Sequence, residues 1–414
     1  MSRIILEYVW IDGYENTRSK IKIVDYAYMF DNDIYLLNTV YLNQIPEWNC
    51  DGSSCGLAET NDSDIILKPR RIFLNPFFEY QAYLVLCDTY YKDNTPHITN
   101  KRVQCVKSLE ITKHREFLFG MEQEYLITDK KGKPYQWTEE REKDSFSYCS
   151  VGSNCLGREI SNEHLLMCLR AGISICGTNS EVMTSQWEYQ IGILNAVEVG
   201  DHLWISRYIL HKVVEKYNCA ISFHPKPYGA DWAGSGLHTN VSTNEMREPD
   251  GIHYITSACE KLALTHEKHL EVYGTDNERR LTGKNETCNI KQFKYGNLDR
   301  TASIRIPLNV FNDGCGYFED RRPASNANPY LVTDIMLNSL KEDYDDYETY
   351  NSSATTSDDE NVEQFSNYDK YNDDIVLHEV IEEVSLYDFE NDEIQVNIVE
   401  INEINEVGEN VSVD

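Results

Sequence analysis

A strand-period segment with two carboxylates on one face constrains this chain most. In Phe119-Gly-Met-Glu-Gln-Glu-Tyr-Leu-Ile side chains alternate, so Glu122 and Glu124 project together while Met121, Gln123 and Tyr125 project the other way. Two carboxylates that close repel unless one is protonated or a cation lies between them. Ser185-Gln-Trp-Glu-Tyr-Gln-Ile-Gly repeats the arrangement. Trp187, Tyr189 and Ile191 point one way and Glu188 and Gln190 the other, with Glu181 seven residues upstream. Gly236-Leu-His-Thr-Asn-Val-Ser aligns His238, Asn240 and Ser242, and Gly316-Tyr-Phe-Glu-Asp-Arg-Arg-Pro sets Glu319 beside Arg321 and Arg322. Singly, such glutamates are more often solvated. Together, hard carboxylate oxygens and one imidazole suit Mg²⁺ or Mn²⁺, and the arginines suit phosphate or carboxylate oxygens through paired N–H donors. The expectation is two or more divalent cations per site and phosphate transfer.

The 414 residues exceed one compact domain and suit two domains plus an appendage. Glu7-Tyr-Val-Trp-Ile-Asp and Ser19-Lys-Ile-Lys-Ile-Val alternate apolar and polar residues, as half-buried strands do, and Ala82-Tyr-Leu-Val-Leu-Cys fits a buried strand. Asp93-Asn-Thr-Pro breaks the pattern. The segment from Ser161 to Gly172 predicts a helix with Ser161 as N-cap and a glycine stop. Asp201 to Tyr217 predicts an amphipathic helix, with Ile205, Ile209 and Val213 on one face. From Lys341 onward there are 24 Asp and Glu against two Lys, so −22 of the formal −31 lies there, with Gly408 the only glycine and no proline. That composition predicts a disordered acidic tail. The expected domains are 1–92, 93–342 and the tail 343–414.

Composition also excludes function classes. The negative balance argues against a nucleic-acid surface. No window approaches the roughly 18 apolar residues of a membrane span, and the start lacks an apolar h-region. The 12 cysteines include no CxxC pair, which fits reduced thiols in a cytoplasmic setting and neither a disulfide framework nor a zinc site.

Eight blocks then occur in order: Glu47-Trp-Asn-Cys-Asp-Gly-Ser-Ser, Gly120-Met-Glu-Gln-Glu-Tyr, Gly177-Thr-Asn-Ser-Glu-Val-Met, Gln186-Trp-Glu-Tyr-Gln-Ile-Gly, Gly200-Asp-His-Leu-Trp, Arg279-Arg-Leu-Thr-Gly, Ser303-Ile-Arg-Ile-Pro and Gly316-Tyr-Phe-Glu-Asp-Arg-Arg-Pro. From about Tyr8 to Ser339 the chain resembles eukaryotic-type glutamine synthetase. The resemblance implies an α+β fold: an N-terminal β-grasp domain and a larger catalytic domain whose curved antiparallel sheet is flanked by helices. It implies a homo-oligomer, a decamer of two stacked pentameric rings, with each site between one subunit's small domain and its neighbour's large domain. It also implies synthesis of glutamine from glutamate, ammonium and ATP through γ-glutamyl phosphate.

Carried over by position, the resemblance puts one metal on Glu124, Glu181 and Glu188 and the other on Glu122, His238 and Glu319. Asp51 would bind ammonium and take its proton, Glu286 would be the flap that shields the acyl phosphate, and Arg321 would stabilise developing charge. Gly234, Arg280, Arg300 and Arg321 fall at substrate-binding positions, Arg280 toward the α-carboxylate. Asn240, Ser242, Arg300, Arg305 and Tyr317 fall at nucleotide-contacting positions. The chain departs from the family pattern at Ala233 (usually Asn), Asn285 (usually His) and Leu118 (commonly aromatic), and in the loop after Trp137. These departures keep two alternatives in view: a related ligase for another amine, and a catalytically impaired ring protein.

Overall fold

The computed structural model describes residues 3–25, 42–138, 147–229 and 232–341. The acidic tail from 343 lies outside them. Two sheets organise the rest. The first contains β1 (Arg3–Ile11), β2 (Thr17–Asp25), β3 (Trp48–Asp51), β4 (Asp64–Leu74) and β5 (Ala82–Tyr90), in the order β2-β1-β5-β4-β3. β1 and β5 run parallel at its centre and the other pairs are antiparallel. The second contains β6 (Leu118–Thr128), β7 (Ile175–Ser180), β8 (Gln186–Leu194), β9 (Ala220–Ser222), β10 (Leu237–Ser242), β11 (Tyr295–Asn297), β12 (Ile304–Ile306) and β13 (Phe318–Asp320). Its order is β11-β12-β13-β10-β6-β8-β7, with β9 also paired to β6, and only β11–β12 is parallel. The helices are α1 (Lys101–Ile111), α2 (Arg158–Ala171), α3 (Ala196–Lys216), α4 (Asn244–Arg247), α5 (Ile252–Leu264), α6 (His266–Val272), α7 (Leu308–Asp313) and α8 (Pro329–Ser339). The α+β class and the small N-terminal sheet are as the sequence predicts.

Alternation explains the large sheet. Trp187, Tyr189 and Ile191 of β8, and Leu237, Thr239 and Val241 of β10, are buried on the core side. The apolar ones belong to one core cluster with Leu203, Ile205, Ile209 and Val213 of α3. Replacing a buried aromatic such as Trp187 by Ala would cost about 3–5 kcal/mol. With one face buried in this core, the sheet leaves its other face for polar side chains.

Three local expectations change. α3 starts at Ala196, not Asp201, because the Asn195 side chain accepts from the N–H groups of Val197 and Glu198 and caps an earlier first turn. α2 starts at Arg158; Ser161 is not its cap but lies buried inside it, its hydroxyl paired with that of Thr178 at 2.8 Å. Gly172 does close the helix, at φ +77°. Glu7, on what reads as a solvated strand face, is buried. Tyr208 and Lys212 of α3 reach it, with Ser19 and Asn75, so its carboxylate ties the small sheet to the long helix.

The described cysteines are all free, and eight of the 12 are buried, as expected of reduced structural thiols. Among the described residues no helix is long and apolar enough to cross a membrane.

Candidate active site

Strand register assembles the site. β6 lies between β10 and β8, so His238 sits across from Glu122, and Glu188 across from Glu124. β13 lies beyond β10, setting Glu319 across from Asn240, and β12 sets Arg305 across from Glu319. Residues from five strands thus share one sheet face because each has the same parity along its strand.

Two groups of donor atoms result. Glu122, His238 and Glu319 bring one ligand atom each within 4.8 Å of one another, and Glu124, Glu188 and His238 do the same. His238 Nδ1 is 3.6 Å from Glu122 and 3.5 Å from Glu319. These separations exceed a good hydrogen bond. Burial, then the nearby Arg321 charge, holds the His238 imidazole well below its usual range. The ring is therefore neutral, the form that ligates a metal. Burial, then the Glu181 charge, pushes the Glu124 carboxyl up to about 8. Burial pushes Glu181 up to about 7, with the charges of Glu286 and Glu122 adding. Glu188 is raised well above the carboxylate range by burial and then by Glu122. Among the described residues no Lys or Arg forms an ion pair with Glu124, Glu181 or Glu188. The Arg280 and Arg321 charges reach Glu124 and offset part of its burial; buried carboxylates without an ion-pair partner are costly, and a bound divalent cation would remove that cost.

Glu181 stands slightly apart from both donor groups, one oxygen accepting from Asn179 at 3.0 Å and the other from the Val182 N–H at 3.2 Å. Glu319 differs from the other carboxylates. It is buried between Arg305 and Arg321, each at 2.7 Å. Arg280 is buried as well, donating to the Arg321 carbonyl at 3.0 Å and lying 3.2 Å from His238 Nε2. Gly234 has to be glycine, since a Cβ there would lie 2.7 Å from the Pro225 carbonyl and 2.9 Å from the Arg280 side chain.

Three of the five nucleotide-contacting candidates, Asn240, Ser242 and Tyr317, line a cleft of about 370 Å³ with Leu118, Ile193, Cys176 and Arg247, and Arg300 and Arg305 are not part of its lining. Arg300 is exposed and 3.8 Å from Glu286. The Glu286 carbonyl accepts from Arg321 at 3.2 Å, and Asn285 and Glu286 both have positive φ, 55° and 57°. Two successive non-glycine residues in that region are uncommon and mark a shaped loop. Asn285 also donates to the Trp232 carbonyl at 3.4 Å, and Ala233 packs against the apolar cluster of Leu126, Met183 and Trp232. Two of the departures from the family pattern are therefore neighbours.

Asp51 is not brought to this cluster within one chain. It is exposed on the small sheet and accepts from Ser53 and Ser54. Those hydrogen bonds, the Ser54 hydroxyl first, hold its carboxyl below the usual range, so it stays ionised.

Sequence reasoning missed several supports. The Gly236 N–H donates to Glu124 at 2.6 Å, and Asn240 donates to Glu122 at 2.8 Å. Behind the sheet, Arg207 of α3 donates twice to Gln123, between the two glutamates, and to the carbonyls of Ser325 and Ala327 beyond β13. Burial lowers its guanidinium to about 10. The amides of Asn179 and Gln190, which donate to Glu181 and Glu188, were missed as well; for these two the signal was spacing, since Asn179 precedes Glu181 by two residues and Gln190 follows Glu188 by two.

A family model described as the glutamine synthetase catalytic domain matches residues 95–270. The chain is 47% identical to the glutamine synthetase of Tuber borchii over 344 residues, covering 81% of this chain and 92% of that one. It is 45% identical to that of Saccharomyces cerevisiae over 345 residues, 82% and 89% of the two chains. Among solved structures, the cryo-EM structure of Plasmodium falciparum glutamine synthetase matches with TM-score 0.64 at 20% identity, over 84% of this chain and 73% of that one. An ADP complex of GmaS matches with TM-score 0.63 at 18% identity, over 83% and 79%. These structural likenesses concern the fold.

Proposed function

The chain belongs to the glutamine synthetase family, and on that premise we propose that it joins ammonium to the γ-carboxylate of glutamate with conversion of ATP to ADP and phosphate, through γ-glutamyl phosphate. The activity is that of a glutamate–ammonia ligase. The observation that carries this reading is the pair of carboxylate groups sharing His238, with Arg280, Arg305 and Arg321 converging beside them. The donors are hard oxygens with one neutral imidazole, which fits Mg²⁺ or Mn²⁺. Glu122, His238 and Glu319 would hold one ion, and Glu124, Glu188 and Glu181 the other. Such ions, when bound, neutralise phosphate charge and align the phosphoryl group with its acceptor.

The chain's own residues supply the rest. ATP would enter the cleft past Leu118 and Cys176, its ribose and base near Ser242 and Tyr317, and its phosphates toward Arg300 and Arg305. Glutamate would lie against Gly234 and Arg280, the guanidinium gripping the α-carboxylate by paired hydrogen bonds. Arg321 would offset charge as the γ-carboxylate oxygen attacks the γ-phosphoryl group. Glu286, on its shaped loop, would keep water from the acyl phosphate. Asp51 would bind ammonium and accept the proton that frees the nucleophile. Because one chain's Asp51 stands apart from its own carboxylate cluster, a neighbouring subunit is its natural source, which supports a homo-oligomer, here a decamer of two pentameric rings. We take residues 1–92 and 93–342 as the two domains of each subunit, and the cytoplasm as its location.

The reading is tested by γ-glutamyl hydroxamate formation from glutamate, hydroxylamine and ATP with Mg²⁺ or Mn²⁺. Product that requires all of these supports it; an assembled protein making none, with ammonium or any amine, refutes it.

A further inference from the structure

Gln190 and Asn179 are side-chain amides between two carboxylates. Gln190 Nε2 donates to Glu188 Oε1 at 2.5 Å and to Asn179 Oδ1 at 2.9 Å. Asn179 Nδ2 in turn donates to Glu181 Oε1 at 3.0 Å. The chain of contacts runs Glu188, Gln190, Asn179, Glu181, with the three amide hydrogen bonds directed to Glu188, to Asn179 and to Glu181. Register makes this possible, since Asn179 lies across from Glu188 and Gly177 across from Gln190. Gly177 leaves the space: a Cβ there would sit 2.9 Å from Gln190 Oε1.

The other ligands are held differently. Glu319 has two arginines, Glu122 has Asn240 and Glu124 has the Gly236 N–H. Among the described residues Glu181 and Glu188 have no cationic side chain, so the two amides orient them. Outer-sphere hydrogen bonds of this kind fix which carboxylate oxygen faces an ion.

We propose that Asn179 and Gln190 act as one positioning unit that presets Glu181 and Glu188 for a single one of the two cation positions, leaving the Glu122–His238–Glu319 position independent of them. The proposal rests on the metal-binding reading above. It predicts site-selective loss, which general destabilisation would not produce.

The test is titration of the full-length protein with Mn²⁺ alone, without nucleotide, read by electron paramagnetic resonance and calorimetry. The unaltered protein shows two classes of sites. Gln190→Met and Asn179→Ala each weaken one class by roughly 10–100-fold, the usual range for such partners, and leave the other unchanged. Because the amides form one relay, the double variant is little worse than the stronger single one. Gly177→Ala, which removes no polar group but crowds the Gln190 amide, weakens the same class. Should Gln190→Met fail to fold, the partly exposed Asn179 and Gly177 variants carry the test. Equal weakening of both classes, no change in either, or additive effects in the double variant would overturn the relay while leaving the proposed function standing. An unaltered protein that binds no Mn²⁺ would overturn both.

Discussion

Metal binding to this site should expel protons in an amount the structure specifies. At pH 7 a carboxyl at about 8, as for Glu124, is roughly nine-tenths protonated, and one at about 7, as for Glu181, is roughly half protonated. Glu188 is raised well above its ordinary range by burial and then by the Glu122 charge, in the same direction. Metal ligands must be ionised, so filling the Glu124–Glu181–Glu188 position at pH 7 releases roughly 1.4 protons from Glu124 and Glu181 together, and Glu188 adds to that in the same direction. From Glu124 and Glu181 alone, affinity for Mn²⁺ should then fall about fiftyfold between pH 7 and pH 6. Calorimetry in buffers of different ionisation enthalpy counts the protons directly. The same shifts set the sign for stability. Each of these carboxyls has a folded pKa above its unfolded value of about 4.5, so the metal-free folded chain holds the extra protons. Its stability is greatest near and below pH 4.5 with respect to these groups, and is lost as pH rises toward 8. Added Mn²⁺ should restore the lost melting temperature at pH 8 and do little at pH 5. Release near zero, with an affinity flat from pH 6 to 8, would mean that the carboxylates are already ionised and that the burial argument is wrong.

Glu319→Ala should abolish turnover and remove one class of Mn²⁺ site. It should also lower stability by about 3–5 kcal/mol in urea unfolding, because it strands Arg321 in a buried position. Asp51→Asn should cut ammonium-dependent turnover while leaving Mn²⁺ titration and the melting temperature essentially unchanged, since the side chain is exposed and belongs to neither donor group. Cys176→Phe should fill part of the nucleotide cleft and raise the KM for ATP by roughly tenfold, the effect of losing about 1.4 kcal/mol of contact, with the KM for glutamate unaffected in steady-state assays.

Much of this was legible because strand parity is a short-range rule. The pairings of Glu122 with Glu124, of Glu188 with Gln190 and of His238 with Asn240 follow from alternation alone, and each pair shares a face in the folded sheet. Which strands lie side by side was not legible from periodicity. His238 opposite Glu122 depends on β10 pairing with β6 across more than a hundred residues, and only the resemblance in ordered blocks suggested that meeting. Glu7 shows the limit of alternation: one polar position looks solvated, yet α3 covers it and supplies Tyr208 and Lys212. Helix starts were misplaced where the cap came earlier, at Asn195, or where no side chain caps at all, at Gly157. The amides of Asn179 and Gln190 were visible as polar residues near carboxylates, but their relay needed the β7–β8 register.

Phosphoryl transfer to the γ-carboxylate of glutamate is tested most directly by following the oxygen atoms. Glutamate labelled with ¹⁸O in its γ-carboxylate is turned over with ATP, ammonium and Mg²⁺, and the inorganic phosphate is examined by mass spectrometry. If γ-glutamyl phosphate forms, ammonia displaces a phosphate that carries away a glutamate oxygen, so phosphate gains ¹⁸O in step with glutamine. Phosphate released without label, or glutamine formed with both labelled oxygens lost to water, would contradict the mechanism.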